Sequence, residues 1–368
     1  MPLMGIHFLF MRGETWGGPY FRRVFRPRDL GNLAEVLIAV LGSGHPLNID
    51  GIGGGTAITT KVAMLSPSDD EWADVDYFFA QASVDDRLVD YKPTCGNILS
   101  GVGPAAIEMG IVEPAEGFTE IRIRAVNTGA RVLAKVATPG GRVRYDGEDR
   151  IDGVPGTAAP ITLTFMDVVG SSTGHLLPTG RLRDRIGGIE VTCMDVAVPL
   201  VIARASDLGV RGDESSQELD ADTAFFSRME AIRIEGGKRM GMGDVTQSVT
   251  PRFGLIAPAI AGGSIAVRYF MPWKTHPSIS VTGAQCLAVC ALTPSSVADG
   301  IVYRPEDSPA SITLEHASGT MEVHVDYSIG NGFQLDSVNL IRTARKLAEG
   351  NVYIPRKIWN NQAGDRTQ

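Results

Sequence analysis

The sequence predicts an α+β protein made of two similar domains, each with short strands wrapped around one central buried helix. Three observations carry this reading. Glycine supplies 43 of 368 residues and is spread along the chain among Val, Ile and Thr, the composition of many short strands joined by tight turns. Two helical segments, "TCGNILSGVGPAAIEMG" and "HPSISVTGAQCLAVCAL", are apolar on nearly every face, and a helix of that kind is buried. Between them, "TGRLRDRIGG" combines charge with glycine and marks a boundary, giving domains at 1–184 and 185–368.

The elements follow in order. "HFLFM" near the start is read as a first strand, because it lacks the basic flank and small-residue cleavage site of a signal peptide. A helix is expected over 29–42 and a strand over 75–84. From Cys95 onward Ile98, Leu99, Val102, Ala105 and Ala106 fall near helical spacing, with Pro93 upstream as a start signal. Strands are expected over 120–126, 131–137, 159–165 and 189–196, then a helix over 221–239 and a strand over 264–270. The second buried helix follows Pro277, strands cover 310–316 and 320–328, and "LIRTARKLAEG" reads as a helix over 340–350.

Composition narrows the function classes. With 43% hydrophobic and 21% charged residues the chain has a soluble globular composition, and nothing approaches the apolar length of a membrane span. A net charge of −8 without any Lys/Arg block argues against nucleic acid as a partner. The four cysteines, at 95, 193, 286 and 290, form neither C-x-x-C nor a zinc spacing, so a reducing cytoplasm is the simplest setting. Without an H-E-x-x-H or a G-x-S-x-G, no catalytic metal or serine nucleophile is expected.

Two residues stand out chemically. Cys95 precedes Gly96 and Asn97 at an expected helix start, where unpaired N–H groups favour a thiolate; an arbitrary apolar cysteine is more often core, as Cys193, Cys286 and Cys290 are read. Lys61 follows "DGIGGGTAITT", whose Gly53 and Gly54 belong to a loop able to aim N–H groups at an anion, although the order of a phosphate-binding loop is absent. Such a lysine is often a surface group, but buried beside a cleft it is a usable base. His276 takes the corresponding place before the second buried helix. A thiol and an amine at one cleft suit proton removal next to a carbonyl or carboxylate and its return elsewhere, which fits an isomerase, epimerase or racemase acting on an anion.

These motifs resemble the PrpF family. The resemblance runs through "FMRGET", "DGIGGGTAITTKVA", "CGNILSGVGPAAIEMGIV", "RIDGVPGTAAPI", "LPTGRLRD", "HPSI" and "RTARKL", in that order along most of the chain. It implies the diaminopimelate epimerase-like fold, two similar domains of strongly curved sheet around a central helix, with the active site between them. It also implies a cofactor-free 1,3-allylic isomerisation, most similar to the 4-oxalomesaconate tautomerases of aromatic breakdown. Other members act on 2-methylaconitate and methylitaconate. On this likeness Lys61 and Cys95 move the proton, in an order the sequence leaves open. Thr15, Gly53, Gly54, Gly96, Asn97, Thr179, Gly180, Arg268, His276, Ser278 and Arg342 would hold a polycarboxylate substrate. The candidate assembly is a homodimer. A two-thiol epimerase and a non-catalytic binding protein of the same fold remain alternatives.

One segment departs from the family pattern. Where members usually carry M-R-G-G-T-S-K-G, this chain has "MRGETWGG", with Glu14 for glycine, Trp16 for serine and Gly17 for lysine. "WKT" at 273–275 also replaces the histidine, arginine and cysteine common before the second helix. The expectation is a substrate with fewer carboxylates, or a more apolar arm, than 4-oxalomesaconate.

Overall fold

The protein is described here by a computed structural model covering residues 2–23, 30–56, 58–91, 96–152, 154–302, 304–305, 307–330 and 332–360. It divides into two compact units, Met1–Leu163 with Arg342–Gln368, and Thr164–Ile341. The expected cut after residue 184 was guided by charge and glycine, which mark loops. Grouped by contacts, 164–184 goes with the second unit and 342–368 with the first.

The first unit opens with a hairpin, β1 (Leu3–Gly13) and β2 (Trp16–Arg22), closed by the pair Gly13 and Trp16. After α1 (Leu30–Leu41) come β3 (Lys61–Pro67), β4 (Val75–Ala82) and the short β5 (Val89–Asp90). The strand β2 runs parallel to β3, which pairs antiparallel with β4. Two short helices, α2 (Gly96–Leu99) and α3 (Val102–Glu108), precede β6 (Gly117–Ala125) and β7 (Ala130–Thr138). On one side of the sheet, Leu33, Val36, Leu37, Val40 and Leu41 of α1 pack against Phe21, Val62, Met64 and Phe78. Val102, Ala105 and Ala106 of α3 are also fully buried, and Gly103 sits against Ile121, Ala134 and Val136.

The single helix expected after Cys95 is two. Pro104 lacks the N–H that an unbroken helix would offer to the Ser100 carbonyl, so the chain restarts at Val102 after Gly101. Cys95 and Pro93 lie outside the described residues.

The strand β8 (Pro160–Met166) leads into the second unit, where β9 (Asp184–Ile186), β10 (Ile189–Val196) and β11 (Val198–Arg204) form consecutive antiparallel pairs. Next come α4 (Ser216–Ala221) and α5 (Thr223–Arg239), separated at Asp222, whose carboxylate caps α5 by accepting from the Phe225 N–H. The sheet continues through β12 (Arg252–Ala257), β13 (Ile265–Met271) and β14 (Lys274–Thr275). Then α6 (Val281–Leu292) is buried at every position except Thr282, in keeping with a sequence that is apolar on nearly every face. The strands β15 (Ala310–His316) and β16 (Gly319–Ile329) follow.

The last long element is a strand, β17 (Phe333–Pro355), and it corrects the helix expected over 340–350. Arg, Ala, Lys and Leu favour a helix in isolation. Pairing decides otherwise: Ala344 to Pro355 lie along the whole of β1 in antiparallel register, and Val338, Leu340, Arg342 and Ala344 alternate into the interior. The described chain ends with α7 (Arg356–Asn360). Among the described residues no helix is long and apolar enough to cross a membrane, and no group of three or more side chains is placed to hold a metal ion.

Candidate active site

The turn between β1 and β2 puts the departing segment to use. Glu14 occupies the left-handed region, with φ 53°, where glycine costs least and a glutamate is strained. Gly13 before it and Gly18 in β2 are glycines for steric reasons. A Cβ on Gly13 would stand 2.6 Å from the Asn97 carbonyl oxygen, and one on Gly18 2.5 Å from that of Lys61. Those two glycines let the hairpin press against the start of α2 and the start of β3.

Six side chains converge there. Lys61, the first residue of β3, places Nζ 3.0 Å from the centroid of the Trp16 ring and 5.7 Å from that of Phe79. Trp16 is itself fixed. With the Asn97 amide turned so that its oxygen meets donors, that oxygen accepts from Trp16 Nε1 at 2.6 Å and from Thr15 Oγ1 at 3.1 Å. The amide nitrogen then donates to Glu14 Oε2 at 2.9 Å. Asn97 is anchored through its own carbonyl, which accepts from Ser100 Oγ at 2.7 Å.

Below this chain lies a buried ion pair. Glu14 Oε2 is 3.2 Å from Arg342 Nε, and both side chains are about as buried as the apolar core, at 4% and 3% exposure. Burial raises the Glu14 carboxyl above its ordinary range, against the pull of Arg342 and Arg12. Burial likewise lowers Arg342, which Glu14 opposes. Each ion compensates the other's loss of water. Arg12 completes the arrangement by donating from Nη1 to the Glu14 carbonyl at 3.1 Å and to Thr343 Oγ1 at 3.0 Å.

The residues singled out in the sequence therefore fall into separate groups. Thr15, Lys61, Asn97 and Arg342 meet in the first unit, and Gly96 is the first residue of α2. The helix α2 has only four residues, a short run of aligned peptide dipoles. Gly53 donates its N–H to the Leu41 carbonyl at 3.1 Å, and the neighbouring Gly51 and Gly55 donate theirs to Asn48. The glycine loop is thus folded onto Asn48 and the end of α1, and a Cβ on Gly54 would meet Thr59.

In the second unit, Thr179 donates from Oγ1 to Asp184 at 2.6 Å, and Gly180 turns the chain with φ 70°. Arg268 is buried, donating to the carbonyls of Glu214 at 2.6 Å and Val267 at 2.8 Å. His276 precedes α6; its Nδ1 accepts from the Ser278 N–H at 3.0 Å, and Ser278 Oγ lies 3.3 Å from His316 Nε2. Burial lowers His276 from its ordinary value, favouring the neutral ring. Cys193 and Cys290 are buried, as read, and burial pushes their thiols up to about 12.

Sequence reasoning marked Glu14 and Trp16 as departures without giving them contacts. The available signal was position. A glutamate and a tryptophan inside a glycine-rich hairpin turn occupy places where small residues are the default.

The chain matches the family model described as PrpF protein over residues 3–355. The 4-oxalomesaconate tautomerase of Pseudomonas putida is 44% identical over 350 or so positions, covering 95% of this chain and 96% of that protein. Among solved structures, a methylitaconate-delta-isomerase superposes with a TM-score of 0.89 at 29% identity, covering 100% of both chains. A hydroxyproline epimerase from Agrobacterium vitis superposes with a TM-score of 0.51 at 14% identity, covering 95% of this chain and 92% of that one. That last likeness concerns the fold alone, which is diaminopimelate epimerase-like.

Proposed function

The chain belongs to the PrpF family and is an isomerase, and we propose that it moves a proton 1,3 across an allylic system of an unsaturated di- or tricarboxylate without a cofactor. The observation that carries this reading is Lys61, whose amine is held on an aromatic face linked through Asn97 to the start of α2, two residues beyond Cys95. In the proposed reaction one of Lys61 and Cys95 takes a proton from a carbon acidified by a neighbouring carbonyl or carboxylate. The C–H pair becomes a dienolate, and the other residue delivers a proton to the far end of the allylic system as the double bond migrates. No redox change occurs and no group leaves.

The relatives' names support a 4-oxalomesaconate-like or methylitaconate-like acid as the substrate class. The Glu14 and Trp16 substitutions favour an acid with fewer carboxylates, or a more apolar arm, than 4-oxalomesaconate. A buried carboxylate already faces Arg342, and an indole stands by Lys61 where the family usually has small or cationic residues.

The test is proton NMR in D₂O with 4-oxalomesaconate, cis- and trans-aconitate, 2-methylaconitate and methylitaconate. Deuterium entering an allylic carbon with migration of the double bond is expected for one of them. Lys61→Met and Cys95→Ser should each lower that rate about 10²–10⁴-fold. A strong preference for 4-oxalomesaconate over every other acid would sink the fewer-carboxylates reading and leave the isomerase intact.

A further inference from the structure

The segment that departs from the family pattern builds a continuous chain of contacts ending on Lys61. It starts at Glu14, strained at φ 53° and buried beside Arg342. It passes through the Asn97 amide to the indole N–H of Trp16, and from the indole face to the lysine amine 3.0 Å away. A lysine side chain has many rotamers, and one ring face at van der Waals distance selects among them. We propose that Trp16 is a positioning residue for Lys61: its ring face receives the ammonium, and its N–H, locked through Asn97 and Glu14, fixes where that ring stands.

Chemistry gives this arrangement a purpose. A proton-carrying lysine alternates between amine and ammonium within each turnover. The ring's negative face stabilises the ammonium without forming a hydrogen bond that must break before the proton leaves. Trp16 thus stabilises the ammonium by its π-face, and it gives the substrate an apolar wall beside the amine. Among the described residues, the ionised groups that act on the turn include Arg12, Glu14, Arg342 and Arg345; Gln81, opposite Lys61 on β4, is neutral. The inference rests on the proposed function in one respect: a positioned amine matters for turnover only if Lys61 carries the proton.

The experiment reads Lys61 directly. Wild type, Trp16→Phe, Trp16→Leu and Glu14→Gln are exposed to limiting trinitrobenzenesulfonate from neutral to strongly alkaline pH, and labelling of the Lys61 peptide is followed by mass spectrometry. Trp16→Leu is expected to move the midpoint of labelling to lower pH by roughly half a unit to one unit, since the ammonium loses its ring face. Trp16→Phe, which keeps a ring, should move it less. Should Trp16→Leu fail to fold, Trp16→Phe and Glu14→Gln still report, the latter by loosening the ring through Asn97.

Mere loss of packing would accelerate labelling equally at all pH values and leave the midpoint in place, and that result overturns the proposal. So does a midpoint that moves upward. In turnover, Trp16→Leu should lower kcat about tenfold to a hundredfold with a smaller change in KM. The two readings fail separately. A shifted midpoint in a protein inert toward every acid tested leaves the positioning role and removes the isomerisation. An unmoved midpoint in an active enzyme does the reverse.

Discussion

In each unit a buried tyrosine ring lies against a glycine of a helical segment: Tyr20 against Gly101, and Tyr269 against Gly283. Around that shared contact the two segments differ. In the first unit the helix is broken after Leu99, and its start is bound to an ionic network of Glu14, Asn97 and Arg342 with Trp16 and Lys61 above it. In the second unit α6 runs unbroken for 12 residues; Ser280 caps it, accepting from the Gly283 N–H, and a neutral histidine precedes it. The contrast is between an ionic setting and a neutral one at the start of a helical segment. If Lys61 carries the proton as proposed, a start tied to buried charges holds its amine in a fixed electrostatic setting, which the capped start of α6 lacks.

Breaking the buried ion pair should have the largest effect on stability. Arg342→Met leaves the Glu14 carboxylate buried without its counter-ion, and about 3–5 kcal/mol of stability should be lost, read from urea unfolding at neutral pH. The loss has a pH signature. Burial raises Glu14 in the fold, so its protonated form is the better folded one. Without the opposing pull of Arg342 the carboxyl rises further in the variant, and the penalty should be full above that higher value and shrink as acid protonates Glu14. Arg268→Met in the second unit makes the comparison, because among the described residues that guanidinium donates only to backbone carbonyls and feels Glu214 and other carboxylates without a direct ion pair, and its loss should cost about 1–3 kcal/mol. Equal losses at both arginines would erase the distinction between an ionic and a neutral start.

The tyrosine contacts test whether the scaffold is shared. A Cβ on Gly101 would lie 2.8 Å from Tyr20 Cζ, and one on Gly283 2.7 Å from Tyr269 Cζ. Both rings are completely buried, and Tyr20 also donates its hydroxyl to the Ile98 carbonyl. Gly101→Ala and Gly283→Ala should each destabilise by about 1–3 kcal/mol through overpacking. A cost at one position and none at the other would mean that the two contacts are alike only in shape.

How far the sequence could be read depends on where the determining interaction lay. Strands such as Ile189–Val196 and Ala310–His316 were legible almost to the residue, because local patterning and final pairing agree there. The segment 340–350 was not, because its helix-favouring residues are overruled by pairing with a strand more than 300 positions earlier. The broken first helix was readable in principle from Pro104. At the site, Lys61, Asn97 and Arg342 could be picked out by residue type and resemblance. What joins them could not, since Glu14 and Trp16 act through a left-handed turn and a ring stacking that no spacing rule encodes.

The smallest expected effect belongs to the neutral start. His276 is half-buried, and the Ser278 N–H points at its Nδ1, which must be an unprotonated acceptor. Burial lowers its folded value below the ordinary imidazole value of about 6.5. The unfolded chain therefore takes up the proton first, so the contribution of His276 is present above that ordinary value and is lost as pH falls through the lowered one. His276→Gln offers no ring to protonate and should flatten this part of the acid limb, while every other titrating group continues to act. The comparison to make is urea unfolding of wild type and variant at neutral pH and again below pH 6. A constant difference between the two proteins across that range would place a charged histidine before α6 and remove the contrast with the first unit.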